Sequence, residues 1–263
     1  MEIDKSLRTL SFFLLSLTFT STLISQALDP EFYQLKVYSF ENDAQVQITD
    51  DYLKDAFLPA LKKLNIANIG VFKLRPNEKD SIKKIFVLIP FKTLEDFTML
   101  EDKLMKDSLY LANGENYIKT SHDKPPYKRI ESILLKAFRD MPEMRPSPLN
   151  GPRKNRIYEL RSYESATEAI FRNKVDMFNA GGEIDLFKKL TFNAVFYSEV
   201  ISGPKMPNLM YLTTFSDQES RDAHWKTFVD APEWKAMSSM PKYQHNVSHI
   251  DIMFLYPTEY SDY

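Results

Sequence analysis

Hydrophobic positions along the chain follow two periods in turn. The run Phe32–Phe40 alternates apolar and polar residues, as a half-buried strand does. Leu53, Phe57, Leu61 and Leu64 then recur at helical spacing. Continued along the chain, the pattern predicts strand, helix, strand, strand, helix and strand, and it predicts that series twice. This βαββαβ order is that of the ferredoxin-like fold.

An internal repeat explains why the series occurs twice. Tyr33–Tyr38 (YQLKVY) is matched by Tyr158–Tyr163 (YELRSY), and Ala60–Leu64 is matched by Leu186–Leu190 at nearly the same spacing. We therefore predict a first unit over residues 28–140, a Pro- and Gly-rich linker over 141–155, and a second unit over 156–263. The fold class is α+β: two tandem ferredoxin-like units whose sheets pack together as a dimeric-α+β-barrel-type architecture within one chain.

Capping residues indicate where the helices begin. In the first unit Thr49 and Thr93 stand before the two helical patterns. In the second unit the capping boxes Ser165-x-x-Glu168 and Ser216-x-x-Glu219 open the two main helices, and Gly181-Gly182 closes the first of them. The capping chemistry thus predicts the same helix order as the hydrophobic pattern.

The first 27 residues have the outline of an export signal. Lys5 and Arg8 precede an apolar run from Leu10 to Ile24. The small residues Ser25 and Ala27 then form the pattern of a cleavage site. We predict cleavage after Ala27, with a retained signal anchor as the alternative. The mature chain is then expected to be periplasmic or extracellular, with no stable membrane anchor after cleavage, because no other stretch approaches spanning length.

Composition narrows the function classes. The chain has 263 residues, 34 Lys and Arg against 36 Asp and Glu, and a net charge of -2, so no nucleic-acid partner is expected. It has no cysteine, which excludes disulfides, thiolate nucleophiles and zinc–thiolate sites. No phosphate-binding or serine-nucleophile motif occurs in it. The sequence therefore favours a small-molecule site over these alternatives.

The second unit resembles the NIPSNAP family of the dimeric α+β barrel superfamily. The motifs that carry the resemblance are Tyr158–Tyr163, Gly181–Phe187, Gly203–Tyr211, Arg221–Trp225 and Pro232–Trp234, in that order. The first unit lacks counterparts of the last two, so a family site is not transferred to it. The chain looks like the exported tandem form found in bacteria. The resemblance implies a fold rather than a reaction, since the superfamily includes cofactor-independent oxygenases, haem proteins, lactone isomerases and members without catalysis.

Four residues of the second unit are candidates for catalysis. Glu159 and Arg161 share one face of its first strand, and His249 and Asp251 share one face of its last strand. If both faces looked into the barrel, these charges would line one cavity and could act as acid, base or anion holder. The alternative is that they are structural ion pairs inside the barrel. In a ferredoxin-like sheet we expect one strand to lie between the two strands that carry them.

Aromatic residues and one histidine are candidates for ligand contacts. They are Tyr163, Tyr197, Tyr211, His224, Trp225 and Trp234. Core packing is the alternative for the tyrosines. His224 is also the candidate haem ligand that haem-binding relatives suggest. His245 and His249 are too far apart on a strand to hold one metal ion, and no metal site is predicted.

These observations lead to one interpretation and two alternatives. The interpretation is an exported protein that binds a small apolar or aromatic molecule in the barrel or at its mouth, through the second unit and without a cofactor. One alternative is a cofactor-independent oxygenase or isomerase that uses Glu159, Arg161, His249 or Asp251. The other is a non-catalytic assembly protein. A homodimer is compatible with all three.

Overall fold

The structure is a computed structural model that describes residues 28–76 and 83–263. The predicted export signal, residues 1–27, lies outside the described residues. Within the two described ranges, none of the helices combines the length and the apolar character that crossing a bilayer requires.

The described residues of the first unit form four strands, six α-helices and one π-helical segment. The strands are β1 (Phe32–Phe40), β2 (Gly70–Leu74), β3 (Lys83–Phe91) and β4 (Arg129–Ala137). Between β1 and β2, α1 (Asp43–Tyr52) continues through a π-helical segment (Leu53–Phe57) into α2 (Leu58–Lys63). Between β3 and β4 lie the short helices α3 (Leu94–Thr98), α4 (Leu100–Leu104), α5 (Ser108–Asn113) and α6 (Glu115–Ile118).

The second unit repeats this order of strands and helices. Its strands are β5 (Ile157–Glu164), β6 (Asn193–Ser202), β7 (Asn208–Phe215) and β8 (His249–Pro257). Between β5 and β6 lie α7 (Glu168–Phe178) and α8 (Glu183–Lys189), and between β7 and β8 lie α9 (Gln218–Asp230) and α10 (Pro232–Ser238). Single 3₁₀ turns occur at Arg153–Asn155 and Pro241–Tyr243. The predicted βαββαβ series is confirmed in both units.

The predicted helix starts are right at one position and wrong at three. Thr93 caps α3 as predicted, since its side chain accepts from the Asp96 amide. In the first unit the cap is Asn42 rather than Thr49, because the helix starts well before Thr49, which is buried inside it. In the second unit the caps of α7 and α9 are Thr167 and Asp217. Each of these two lies downstream of the predicted Ser165 or Ser216, because several capping-type residues stand side by side there.

The eight strands close into a single antiparallel barrel in the order β1-β3-β2-β8-β5-β7-β6-β4. Within each unit the first strand lies between the third and the fourth. Pairing of β2 with β8 and of β4 with β6 joins the two sheets edge to edge. The expectation that one strand separates the first and last strands of a unit is therefore wrong, because β5 pairs directly with β8 from Tyr158 to Glu164.

Two layers of apolar packing result from this closure. One cluster receives side chains from all eight strands, including Tyr33, Phe72, Phe86 and Leu160, and it fills the barrel. Two further clusters lie between the outer face of each sheet and the helices of that unit. Alternation along a strand sends neighbouring residues into different layers, so both faces of β5 are buried. The second unit's outer layer contains the site described next.

Candidate functional site

A cavity of about 640 Å³ lies on the helix side of the second unit's sheet. Arg161 and Tyr163 of β5 and Ile250 of β8 contribute to it from the sheet, and α7, α9 and α10 contribute the other walls. The segment before β8 completes the lining with residues 243–247. Because β5 and β8 are paired neighbours, one helix layer covers the outer face of both, and the cavity forms beneath that layer.

Glu159 is the centre of the polar network beside this cavity. Its carboxylate is fully buried and accepts four hydrogen bonds. Oε1 accepts from Arg161 Nε at 2.7 Å and from Arg221 Nη2 at 2.9 Å. Oε2 accepts from Arg221 Nε and from the Trp225 indole N–H, each at 2.8 Å. One carboxylate thus connects β5 to α9 and fixes two guanidinium groups and an indole ring.

Two opposing effects act on the pKa of this carboxyl group. Burial of Glu159 by itself raises the pKa, because the charged form loses its hydration. The hydrogen bonds from Arg221 and the positive charges of Arg161 and Arg221 act in the opposite direction and prevail. The pKa of Glu159 therefore lies below its ordinary value of 4.5, and the group is ionised at neutral pH.

Arg161 connects this network to two tyrosines. Its guanidinium carbon lies 3.6 Å from the centroid of the Trp225 ring, so the two planar groups stack. Its Nη1 donates to the Tyr163 hydroxyl at 2.9 Å, and that hydroxyl lies 2.8 Å from the Tyr211 hydroxyl. Burial holds the pKa of Tyr211 well above its usual range, so this tyrosine is neutral. The predicted candidates Tyr163 and Tyr211 therefore position Arg161, and of the two only Tyr163 lines the cavity.

A second buried ion pair contributes to the cavity wall. Lys174 of α7 lies 2.8 Å from Glu183 of α8, and both side chains are almost completely excluded from solvent. The Lys174 ammonium group also lies 4.7 Å from the ring centroid of Phe178 and 6.0 Å from that of Trp234. The pair is neutral as a whole and holds α7 against the start of α8.

Aromatic rings provide much of the apolar wall. Phe228 of α9 packs against Trp234 of α10 with the rings tilted by 39° and their centroids 4.6 Å apart. Trp225 lies one helical turn before Phe228, with centroids 5.6 Å apart. All three line the cavity. Trp225 and Trp234 are the two tryptophans of the entire chain. Val229 and Ile250, which are about half exposed, form an apolar rim at its opening.

The four candidate catalytic residues do not meet. Asp251 pairs with Ser162, and Met253 pairs with Leu160, whose side chain lies inside the barrel. Because paired residues of an antiparallel ladder point to the same side, His249 and Asp251 lie on the barrel side of β8. Glu159 and Arg161 lie on the helix side of β5. The expected shared cavity is wrong, because the two pairs are on opposite faces of one sheet.

His249 and Asp251 belong instead to an exposed group at the end of the barrel. The side-chain ligand atoms of Glu164, His249 and Asp251 lie within 4.8 Å of one another. Lys205 forms a short ion pair with Asp251 and lies 3.7 Å from Glu164. The Lys205 ammonium group pairs with Asp251 and offsets one of the two carboxylate charges, and we assign this cluster no ligand.

The other ligand candidates separate into cavity and core. Trp225 and Trp234 line the cavity, whereas Tyr197 is buried in the aromatic cluster beside Phe187. His224 faces away from the cavity, with Nδ1 2.6 Å from the Ser220 carbonyl and Nε2 3.3 Å from the Thr191 hydroxyl. Both of its ring nitrogens are thus engaged elsewhere, so His224 is not placed to hold a haem in this cavity.

Sequence reasoning missed three charged residues of the site. Arg221, Lys174 and Glu183 all line the cavity, and none was a candidate. Arg221 could have been found, because it precedes Trp225 by one helical turn and so shares its face of α9. Lys174 and Glu183 gave no comparable signal, since charged residues on a helix usually face solvent.

The first unit carries a counterpart of the β5 strand with different surroundings. Gln34, Lys36 and Tyr38 occupy the positions of Glu159, Arg161 and Tyr163 in the repeated motif. Tyrosines of the first unit's helices pack in this layer, and the ring of Tyr52 stacks on that of Tyr117 at 3.8 Å between centroids. The unit has no tryptophan and no arginine at the position of Arg161. The arginine and tryptophan network is therefore a property of the second unit.

Comparison with known proteins finds a family model that matches the second unit and solved structures that share the fold of the chain. The profile of the NIPSNAP family matches residues 158–262. No curated protein matches the chain significantly.

Three solved structures show the fold over most of the chain. A presumed monooxygenase of Fusobacterium nucleatum is 8% identical, with a TM-score of 0.55, over 87% of this chain and 93% of that one. A presumed monooxygenase of Lactobacillus acidophilus is 11% identical, with a TM-score of 0.53, over 87% and 94% of the two chains. An anthrone oxidase-like protein is 10% identical, with a TM-score of 0.50, over 88% and 93%. At such identities the likeness concerns the α+β barrel fold alone.

Proposed function

We propose that the second unit, which matches the NIPSNAP family model over residues 158–262, binds a small molecule with an apolar or aromatic body in the cavity beneath α7, α9 and α10. The observation that carries the proposal is the cavity itself. Its volume of about 640 Å³ is within the range of small-molecule sites, roughly 300–1,000 Å³. Its walls combine aromatic rings with a few fixed polar groups, which is the usual composition of such sites.

The polar network supports binding because it is fixed before a ligand arrives. Glu159 holds Arg161 and Arg221 in place through hydrogen bonds of 2.7–2.9 Å. Stacking on Trp225 and the bond to Tyr163 further restrict Arg161. Groups that are already ordered lose little conformational entropy when they contact a ligand.

The proposed location differs from the barrel interior or mouth that the sequence led us to expect. The barrel is filled by the side chains of its own strands, including Tyr33, Phe72, Phe86 and Tyr158. A ligand in that space would have to displace packed core residues, at a cost of several kcal/mol for each large side chain, on the order of 3–5. The cavity on the helix side already opens to solvent and requires no such displacement.

Catalysis by the four candidate residues receives no support from this geometry. His249 and Asp251 lie on the other face of the sheet from Glu159 and Arg161. Both oxygens of Glu159 accept hydrogen bonds from cationic or indole donors, and the lowered pKa of Glu159 makes it a poor proton acceptor. Binding is therefore the function that these residues support best.

Tryptophan fluorescence tests the proposal, because both tryptophans of the chain line the cavity. N-phenyl-1-naphthylamine is a neutral aromatic probe that absorbs where tryptophan emits. Titration of the probe should quench tryptophan emission to saturation with one probe molecule per chain. Ser238, at the end of α10, lines the cavity, so Ser238→Phe should fill part of it and weaken binding at least ten-fold.

The matched control is Ser239→Phe, because Ser239 is the exposed neighbour outside the cavity lining. This control should bind the probe as the parent chain does. Saturable quenching that is equal in both variants would place the probe outside the cavity. If the parent chain showed no saturable quenching with this probe or with a charged analogue, the binding proposal would be wrong.

A further inference from the structure

We propose that the ligand is a monoanion whose oxyanion group, such as a carboxylate or sulfonate, binds Arg161 beside Arg221 while its apolar body lies against Trp225 and Trp234. This inference rests on the proposed function, since it assigns a chemical class to the ligand of the same cavity. Three features of the site support it: the charge balance, the unused donors of Arg161 and the arrangement of the aromatic wall.

The charge balance leaves one positive charge in excess. Glu159 is a single carboxylate shared by the guanidinium groups of Arg161 and Arg221. Lys174 and Glu183 cancel each other in their buried pair. Among the described ionisable groups of the site, two guanidinium charges are therefore balanced by one carboxylate.

Asp222 also contacts Arg221, but it does not restore neutrality inside the cavity. Its side chain is 58% exposed and accepts from Arg221 Nη1 at 2.9 Å, away from the cavity lining. Solvent screens an exposed pair of this kind, so its effect within the buried site is small. The excess positive charge thus faces a largely apolar cavity, where an anion would neutralise it.

The guanidinium of Arg161 has donors left for such an anion. Of its five N–H groups, Nε donates to Glu159 and one on Nη1 donates to Tyr163, while Nη2 lies 2.6 Å from Glu159 Oε1. One N–H on each terminal nitrogen has no acceptor among the described residues. The Arg161 side chain is only 10% exposed, so bulk water reaches it little. An oxyanion in the cavity could accept from both nitrogens in the paired geometry that arginine favours.

The aromatic wall favours a flat or apolar shape for the part of the ligand beyond its anionic group. The Trp225 ring, stacked on Arg161, continues into Phe228 and Trp234 as one series of rings with centroids 4.6–5.6 Å apart. Beyond the rings, Val229 and Ile250 extend the apolar surface to the opening. A ligand anchored at Arg161 would therefore place a flat or apolar body along these rings, with its far end at the rim.

A pair of probes separates the two proposals. 1-Anilinonaphthalene-8-sulfonate has the same anilinonaphthalene body as N-phenyl-1-naphthylamine and differs by one sulfonate. With both titrated by tryptophan quenching, the sulfonate should bind the parent chain at least ten-fold more tightly. Arg161→Gln should abolish this preference because it weakens binding of the sulfonate probe. The affinity for the neutral probe should change less than three-fold. Arg139→Gln, which removes an arginine that is 73% exposed and outside the cavity, should leave the preference intact.

A second variant should shift the preference in the opposite direction. Glu159→Gln removes the carboxylate that neutralises one guanidinium, so the sulfonate should bind more tightly relative to the neutral probe. Circular dichroism establishes that each variant is folded before titration. The comparison of the two probes on the parent chain needs no variant, so it decides the inference even if a variant fails to fold.

The outcomes distinguish the inference from the function on which it rests. Equal binding of the two probes to the parent chain, sensitive to Ser238→Phe, would overturn the anion assignment and leave the proposed function standing. Saturable binding of neither probe would overturn both. A sulfonate preference that persists in folded Arg161→Gln would also contradict the assignment, because the anion would then be bound elsewhere.

Discussion

Glu159 is predicted to be the main polar determinant of stability in the second unit. The substitution Glu159→Gln preserves the shape of the side chain but removes its charge and replaces one acceptor oxygen with a donor. Arg161 and Arg221 would then be left as two buried or partly buried cations, with side chains 10% and 18% exposed, and without a carboxylate between them. Removing one partner of a buried ion pair costs about 3–5 kcal/mol of unfolding free energy. For a chain of this size that corresponds to a fall in Tm of about 6–20 °C, at roughly 2–4 °C per kcal/mol.

Urea denaturation at pH 7 measures this loss, with Glu199→Gln as the matched control. Glu199 also accepts from an arginine, at 2.6 Å from Arg172, but that arginine is 69% exposed. The control should therefore lose no more than about 1 kcal/mol. If Glu159→Gln lost no more stability than Glu199→Gln, the account of the buried network would be refuted.

The same variant should lose its effect in acid. The pKa of Glu159 in the folded chain is below its ordinary value of 4.5, so its ionisation stabilises the fold fully above that pH. The stabilisation is lost as the pH falls through the folded pKa, where the carboxyl group takes up a proton. The stability difference between the parent chain and Glu159→Gln should thus be constant near neutrality and shrink below about pH 4.5. A difference that grew in acid would contradict the assigned direction of the pKa.

Three further predictions concern the rest of the second unit and the start of the chain. Lys174→Met should lower the unfolding free energy by about 3–5 kcal/mol in urea denaturation, because it leaves the buried Glu183 carboxylate without its partner. The double variant Lys174→Met with Glu183→Leu should recover more than half of this loss, because it removes both charges. Gly182→Ala should cost about 1–2 kcal/mol in the same assay, because Gly182 has a φ of +88° that a side chain disfavours. If the export signal is cleaved as predicted, the intact mass of the protein secreted by a bacterial host should correspond to a chain that begins at Leu28.

Each of these three has a contradicting result. A double variant no more stable than Lys174→Met would mean that the ion pair is not the source of the loss. An unchanged midpoint for Gly182→Ala would show that the turn before α8 tolerates another backbone conformation. A secreted chain that keeps residues 1–27 would favour a retained signal anchor.

The order of the elements could be predicted from the sequence because it depends on local periodicity. Alternation of apolar and polar residues predicted the strands, and helical spacing of apolar residues predicted the helices. The matched motifs Tyr33–Tyr38 and Tyr158–Tyr163 indicated the duplication. Closure of the barrel followed from the same reasoning, since each sheet has a face that needs covering. These inferences require no knowledge of which face a given residue occupies.

The site could not be placed by the same means, because both faces of β5 are buried. Alternation shows that Glu159 and Arg161 share a face, but it does not show which face lies inside the barrel. The apolar Tyr158 and Leu160 on the other face were the available signal, since a small barrel fills with apolar side chains. The error about the neighbour of β5 then placed His249 and Asp251 in a cavity to which they do not belong.

A crystal structure of the chain with bound 1-anilinonaphthalene-8-sulfonate would show whether the cavity of the second unit holds an anionic aromatic ligand at Arg161. We expect density for the probe along Trp225 and Trp234, with its sulfonate within hydrogen-bond distance of the Arg161 guanidinium. Density for the probe inside the barrel or at the Glu164, His249 and Asp251 cluster, with the cavity free of it, would contradict the account.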